Sequence, residues 1–219
     1  MLQKQKLPEG AAVIANFQTA GRGQHQNTWE STKGDNVLLS LYLKPSFVTK
    51  DISVISFLVS LAIRGVVQKL LPETEVRVKW PNDVMVGNKK IAGILVENRF
   101  SSAVESIIGI GLNVNQKLIK SNHKATSLLN EANKSFHVGQ VLSECFTFVE
   151  KYYLLANKSG GVKQIWKLYV SQLYQLDEVI EVDGVFHTVC GVSPEGLLEL
   201  NHNGVTRFIA HNEFKIKWN

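Results

Sequence analysis

Cysteine is scarce: two residues in a chain of 219. Cys145 falls in a helical pattern and Cys190 in a strand pattern, with no CxxC pair. A disulfide framework and a cysteine-based zinc site are therefore excluded, and both thiols are expected to be buried. The six histidines are scattered, and no pair has metal-ligand spacing. No uninterrupted apolar run reaches about 18 residues. Residues 1–9 are polar, so neither a membrane span nor a secretory signal is expected and the protein reads as cytoplasmic. No stretch is densely basic with aromatics interleaved, which leaves a nucleic-acid-binding role resting on net charge alone. The glycine-rich stretch near the start is neither a Walker A loop, since no Gly-Lys-Ser/Thr follows, nor a dinucleotide fingerprint, since the third glycine and the helix after it are missing.

What is present suits one main domain with a small appendage. Apolar residues make up 44% of the chain, enough for a packed core. Net charge is +5, and residues 151–219 carry seven Lys/Arg against seven Asp/Glu, so the whole excess lies in residues 1–150. A basic main domain suits an anionic ligand such as a nucleotide, or an acidic partner protein.

Patterning fills in the elements. Residues 11–17 read as a strand running into Gln18-Thr19-Ala20-Gly21-Arg22-Gly23, where free backbone N–H groups and a guanidinium can cradle an anion. Residues 36–43 form a second strand with Val37, Leu39, Leu41 and Leu43 on one face. Residues 51–71 show the longest helical periodicity, with Asp51 as N-cap and Pro72 beyond the end. Residues 76–79 and 84–86 give a hairpin around Pro81-Asn82-Asp83, and residues 91–96 read as a strand covered on both faces, with Lys90 at its entrance. Gly109 and Gly111 weaken the strand at 105–115 unless something approaches its backbone, so they mark a candidate ligand wall. Residues 116–127 read as a loop, 137–157 as an amphipathic helix, and 162–170 as a short helix. From Leu176 onward short strands alternate with Asp183-Gly184, Pro194-Glu195-Gly196 and Asn203-Gly204 turns, as in a small β-barrel.

Three of these stretches carry a family resemblance. Gln18-Thr19-Ala20-Gly21-Arg22-Gly23 followed by Trp29 resembles the biotin-binding loop of biotin protein ligases. Lys79-Trp80-Pro81-Asn82-Asp83 with Lys90-Ile91-Ala92-Gly93-Ile94-Leu95-Val96-Glu97 resembles their central signature, and Gly109-Ile110-Gly111-Leu112-Asn113-Val114-Asn115 their third motif; order and spacing agree over about 100 residues. The tail is similar to the family's SH3-like C-terminal domain. The resemblance implies an α+β fold: a class II synthetase-like catalytic domain over residues 1–174, with a mixed or antiparallel sheet flanked by helices, and an SH3-like barrel over 175–219.

It also implies a reaction. Biotin and MgATP form biotinoyl-5′-AMP and pyrophosphate, and a lysine of a biotin carboxyl carrier domain, such as that of acetyl-CoA carboxylase, takes the biotin and releases AMP. By residue match, Lys90 and Arg22 carry the chemistry; Gln18, Gly21, Arg22, Trp29, Lys90, Gly93 and Gly111 bind biotin; and Gln24, Asn27, Asn82, Asp83, Lys90, Asn113 and Lys217 serve the nucleotide. No resident metal is implied beyond the Mg2+ of ATP, expected near Asp83.

Three departures accompany the match. The family's Ser-Thr-Asn segment, some 20 residues before the loop, has no counterpart, because Met1 to Gly10 holds no Ser or Thr; the chain is read as truncated at its start or as lacking that contact. Gly23-Gln24-His25-Gln26-Asn27 replaces a more basic segment, so the intermediate is expected to be held more loosely. A winged-helix DNA-binding domain has no room, so the monofunctional form is expected, with no DNA or membrane partner and a monomeric or homodimeric state. The alternatives are a lipoate ligase-like acyltransferase on the same scaffold and a catalytically weak biotin or adenylate binder.

Overall fold

The computed structural model describes residues 7–23, 28–48, 52–100, 103–117, 124–211 and 213–218. Six strands build the main sheet: β1 (Ala12–Ile14), β2 (Asn36–Leu43), β3 (Val76–Lys79), β4 (Asp83–Val86), β5 (Lys89–Phe100) and β6 (Val104–Asn113). Their spatial order is β1-β2-β6-β5-β4-β3, and every pairing is antiparallel. Helices α1 (Ser53–Leu70), α3 (Val138–Ala156) and α4 (Gly161–Ser171), together with the one-turn α2 (Leu128–Ala132), complete the α+β architecture.

Period-two alternation decides which side of the sheet carries the core. Val37, Leu39 and Leu41 of β2, Ile94 of β5, and Ile108, Ile110 and Leu112 of β6 are buried together with α1. Helix α1 is long and apolar enough to cross a bilayer by length and composition, with a mean hydropathy of 1.5. Its Ile55, Leu58, Val59, Ala62, Ile63, Val66 and Val67 are fully buried, which makes it the central core helix. Helix α3 packs its Val141, Cys145 and Val149 into the same core, and α4 adds Ile165 and Tyr169. Asp51, expected as the N-cap of α1, lies outside the described residues; Ile52 stands at the cap position without a side-chain hydrogen bond.

The opposite face behaves differently. Registers across β4, β5, β6 and β2 place Asp83, Gly93, Gly111 and Leu38 in one row, and Leu95, Gly109 and Ser40 in the next. Two glycines side by side leave a trough in the sheet. The strand at 91–96 is thus covered on one face by core and forms on the other the floor of a cleft, which explains why Gly93 and Leu95 are only partly buried.

A second sheet follows from β7 (Val179–Val182), β8 (Val185–Val192), β9 (Leu198–His202), β10 (Val205–Ile209) and β11 (Ile216–Lys217), in the order β10-β9-β8-β7-β11. Its tight turns use residues in the left-handed region, Asp183-Gly184 at φ 47° and 85° and Asn203-Gly204 at φ 50° and 81°, as the Asp-Gly and Asn-Gly pairs predict. A register shift between Val189 and Gly191 turns Cys190 outward, so this thiol is exposed and only Cys145 is buried.

Candidate active site

A cleft of about 520 Å³ opens over the glycine trough, a size suited to a small-molecule ligand. Lys90 dominates its floor. The chain pins Lys90 from both sides: its N–H donates to the carbonyl of Lys124 and its carbonyl accepts from Thr126 N–H, each at 2.9 Å. A register shift between Val84 and Met85 lets Lys90 pair with Met85 and Ala92 with Val84, leaving Ile91 as an extra residue that points into the core. Such a bulge re-aims a neighbouring side chain. The Lys90 ammonium folds back over Gly93, where a Cβ would lie 3.2 Å from both Cε and Nζ. It meets the Asp83 carboxylate at 2.6 Å and the face of Trp29 at 5.6 Å from the ring centroid.

Trp29 forms the other wall. Its N–H donates to Gly21 O at 2.9 Å, and its indole lies flat against Gly111, where a Cβ would fall 2.4 Å from Cε2. Gly21 is needed in the same way, since a Cβ there would fall 2.4 Å from Trp29 O and 2.7 Å from Gln18 Oε1. The indole Nε1 is buried without a hydrogen-bond partner among the described residues. A buried donor left open at the wall of a cleft is a place for a ligand acceptor. Arg22 stands at the mouth, exposed, with its guanidinium 3.5 Å from Glu97.

The turn between β3 and β4 supplies the rim. Asn82 is clamped to β5, donating its side-chain amide to Ile94 O while Ile94 N–H donates to Asn82 O at 2.9 Å. Below it, the fully buried Tyr169 donates its hydroxyl to Pro81 O at 3.3 Å, and burial pushes that phenol above its ordinary range. The Trp80-Pro81 peptide is cis. Asn113 is buried and donates to Thr126 O at 2.9 Å, which ties the third motif to the segment that pins Lys90. Burial lowers the Lys79 pKa; the Asp83 charge raises it and the Lys90 charge lowers it further.

The cleft therefore brings together Gln18, Arg22, Trp29, Asn82, Asp83, Lys90, Gly93, Gly111 and Asn113, with Gly21 packed behind Trp29. Gln24 and Asn27 lie outside the described residues. Lys217 points elsewhere: its ammonium pairs with Glu181 at 2.7 Å, and it is the flanking Ile216 and Trp218 that line the cleft. Sequence reasoning missed His211, Phe214 and Trp218 as lining residues, and nothing local marks them. It also missed Leu38 and Ser40, although placing Val37, Leu39 and Leu41 in the core assigns those two to the cleft face.

The arrangement is a preorganised cation above a backbone trough, backed by an aromatic wall. It can hold a flat ligand with a carboxylate or phosphate at the lysine end. Comparison with known proteins agrees with this geometry. The family described as biotin/lipoate A/B protein ligase matches residues 1–115. The bifunctional ligase/repressor BirA of Bacillus subtilis is 31% identical over 212 residues, covering 92% of this chain and 65% of that protein; the chain thus spans slightly less than two thirds of that relative. The biotin--[acetyl-CoA-carboxylase] ligase of Mycobacterium tuberculosis is 36% identical over 129 residues, 56% of this chain and 46% of that one. Among solved structures, the biotin protein ligase from Aquifex aeolicus in complex with biotin and ATP superposes with a TM-score of 0.84 at 25% identity, covering 100% of this chain and 93% of that one. A family match over more than half of the residues, together with a fold that places its motifs around one cleft, settles the grouping: the chain belongs to the biotin/lipoate A/B protein ligase family.

Proposed function

We propose that this chain is a biotin protein ligase, which activates biotin with MgATP and transfers it to a lysine of a biotin carboxyl carrier domain in the cytoplasm. The observation that carries this reading is Lys90, pinned on both sides of its backbone and aimed over the Gly93–Gly111 trough. Biotin's ring system lies in the cleft against the Trp29 indole, which itself packs onto Gly93 and Gly111, and its carboxylate reaches the Lys90 ammonium. Two anions meet when that carboxylate approaches the α-phosphate of ATP, and a fixed cation between them offsets the repulsion and follows the charge onto the transition state.

A carboxylate oxygen attacks the α-phosphorus, the bond from phosphorus to the bridging oxygen breaks, and pyrophosphate leaves with the electron pair. The neutral amine of the acceptor lysine then attacks the acyl carbon. The carbon–oxygen bond to AMP breaks, and the amine's proton passes to solvent. Lys90 gives up its pairing with Asp83 on taking the ligand, and Arg22 gives up Glu97 to hold the mixed anhydride from the loop side. Among the described residues no three His, Cys, Asp or Glu side chains converge. Asp83, once released by Lys90, would be the carboxylate available to the Mg2+ that accompanies ATP, which would offset charge on the triphosphate. Gln18 serves the ureido end of biotin, and Asn82 and Asn113 hold the walls on the nucleotide side. Residues 1–174 form the catalytic domain, and 175–219 the C-terminal domain, which contributes Phe214 and Trp218 to the cleft wall.

ATP–pyrophosphate exchange, run with biotin, with lipoate and with neither, tests the reading. Biotin-dependent exchange is expected. Exchange driven by lipoate alone would assign the chain to the other branch of the family, and no exchange with either acid would overturn the ligase assignment.

A further inference from the structure

We propose that Lys79 is a second cation of the reaction centre, and that it takes the pyrophosphate as this leaves the α-phosphorus. The proposal rests on the ligase reading and extends it to the leaving group. Lys79 is the last residue of β3, its Cα partner across the hairpin is Asp83, and it lines the same cleft as Lys90. It is only half-exposed, and among the described residues no carboxylate forms an ion pair with it. Asp83, the acid nearest in register, is taken by Lys90 at 2.6 Å. What Lys79 meets instead is an aromatic face: its ammonium lies 5.3 Å from the centroid of the Trp218 ring. Trp218 in turn leans on Tyr174, ring centroids 6.1 Å apart. A cation over an indole is stabilised by about 0.5–2 kcal/mol, and the ring carries no formal charge to cancel that of the ammonium. The contact holds the ammonium in the cleft without neutralising it.

The chemistry calls for a group in this place. When the bond between the α-phosphorus and the bridging oxygen breaks, negative charge moves away from the oxygens that Lys90 can reach and onto the β- and γ-phosphates. The Mg2+ that accompanies ATP would neutralise part of it. A cation on the far side of Asp83 from Lys90 stands where the remainder develops, and in the reverse reaction it would hold pyrophosphate for attack on the adenylate. Burial favours the uncharged form of Lys79 in the free protein, so an incoming polyphosphate strengthens its charged state.

The two half-reactions separate this role from a structural one, because pyrophosphate takes part only in the first. Lys79→Met keeps the length and packing of the side chain and removes the charge; Lys79→Arg keeps the charge. The test measures pyrophosphorolysis of preformed biotinoyl-AMP against pyrophosphate concentration, and single-turnover transfer of biotin from the same adenylate to a carrier domain. Lys79→Met should lower kcat/KM for pyrophosphate on the order of 10²-fold and leave transfer unchanged, and Lys79→Arg should restore most of the loss. Pyrophosphorolysis at the wild-type rate in Lys79→Met would overturn the proposal, as would an equal fall in both half-reactions. If the wild-type protein makes no adenylate from biotin, the ligase reading fails and takes the proposal with it.

Discussion

Replacing Gly111 by alanine should weaken biotin binding by a mechanism that can be isolated. The added Cβ would lie 2.4, 2.7 and 2.9 Å from Cε2, Cζ2 and Cδ2 of Trp29, against an ordinary contact of at least 3.4 Å. The indole would have to withdraw by about 1 Å, the difference between 2.4 and 3.4 Å. Its backbone is fastened to Gly21 by a 2.9 Å hydrogen bond, and the ring already lies 3.1 Å from the Cβ position of Gly93. Overpacking of this kind costs about 1–3 kcal/mol, which, where biotin needs the indole in its present place, corresponds to a rise in Kd of roughly fivefold to 150-fold. Calorimetric titration of biotin into Gly111→Ala, with thermal unfolding run alongside, reads the effect, and a double-mutant cycle with Trp29→Ala identifies its source. In the Trp29→Ala background there is no ring to displace, so Gly111→Ala should cost much less there than in the wild type. Equal losses of affinity in both backgrounds would refute the argument and place the role of Gly111 in backbone freedom or sheet packing.

Three further changes probe the other groups. Lys90→Ala should lower adenylate formation on the order of 10²–10³-fold while far-ultraviolet circular dichroism stays that of a folded protein; an unchanged rate removes Lys90 from the chemistry. Arg22→Gly should leave thermal stability unchanged, because its ion pair with Glu97 is exposed at 3.5 Å, yet release biotinoyl-AMP and label unrelated proteins; tight retention of the intermediate would contradict its assigned role. Glu131 accepts hydrogen bonds from Lys89 at 2.6 Å and Thr126 at 2.5 Å. Burial alone would raise its pKa, but these bonds and the Lys89 charge outweigh burial and hold it below the ordinary 4.5. A depressed carboxyl contributes stability that is complete above its unfolded-state pKa and lost as pH falls through the folded one. Urea titrations below pH 4.5 should therefore show a decline that Glu131→Gln lacks.

The parts of this site that were legible in the sequence are those fixed by short-range rules. Alternation in β2 and β6 and helical periodicity in α1 and α3 assign the core, and two glycines at i and i+2 in β6 flag a face approached by something. Sequence spacing could not show that Gly93 lies directly across from Gly111, because register between β5 and β6 is set by the whole hairpin over Ala92–Phe100 and Val104–Leu112. Nor could it show the extra residue at Ile91 that re-aims Lys90, since a bulge depends on how β4 and β5 close together. Trp218 and His211 were beyond reach for another reason: they come to the cleft through the docking of one sheet against another element, more than 100 positions away from Lys79 and Trp80 in the chain.

That docking accounts for the tryptophan of the central motif, which stands at the edge of the cleft. Trp80 is buried, donates its indole N–H to Gly196 O at 2.9 Å, and packs edge-on against His211 with ring centroids 5.3 Å apart. The same turn receives the Ser53 hydroxyl on Glu195 O at 2.6 Å. Only glycine fits between them. Gly196 has φ +93°, and a Cβ there would lie 2.3 Å from Ser53 Oγ. Trp80 is thereby a joint between the β3–β4 turn and the second sheet, and with the Ser53–Glu195 bond and the Lys79–Trp218 contact it holds Lys79, Asn82 and Asp83 on one rim against Phe214 and Trp218 on the other. An open sheet face could bind an acyl-adenylate but would leave its anhydride in water. A second wall fixed to the motif by Trp80 converts that face into a cleft, and under the proposed ligase function solvent exclusion there would favour aminolysis by the incoming lysine over hydrolysis.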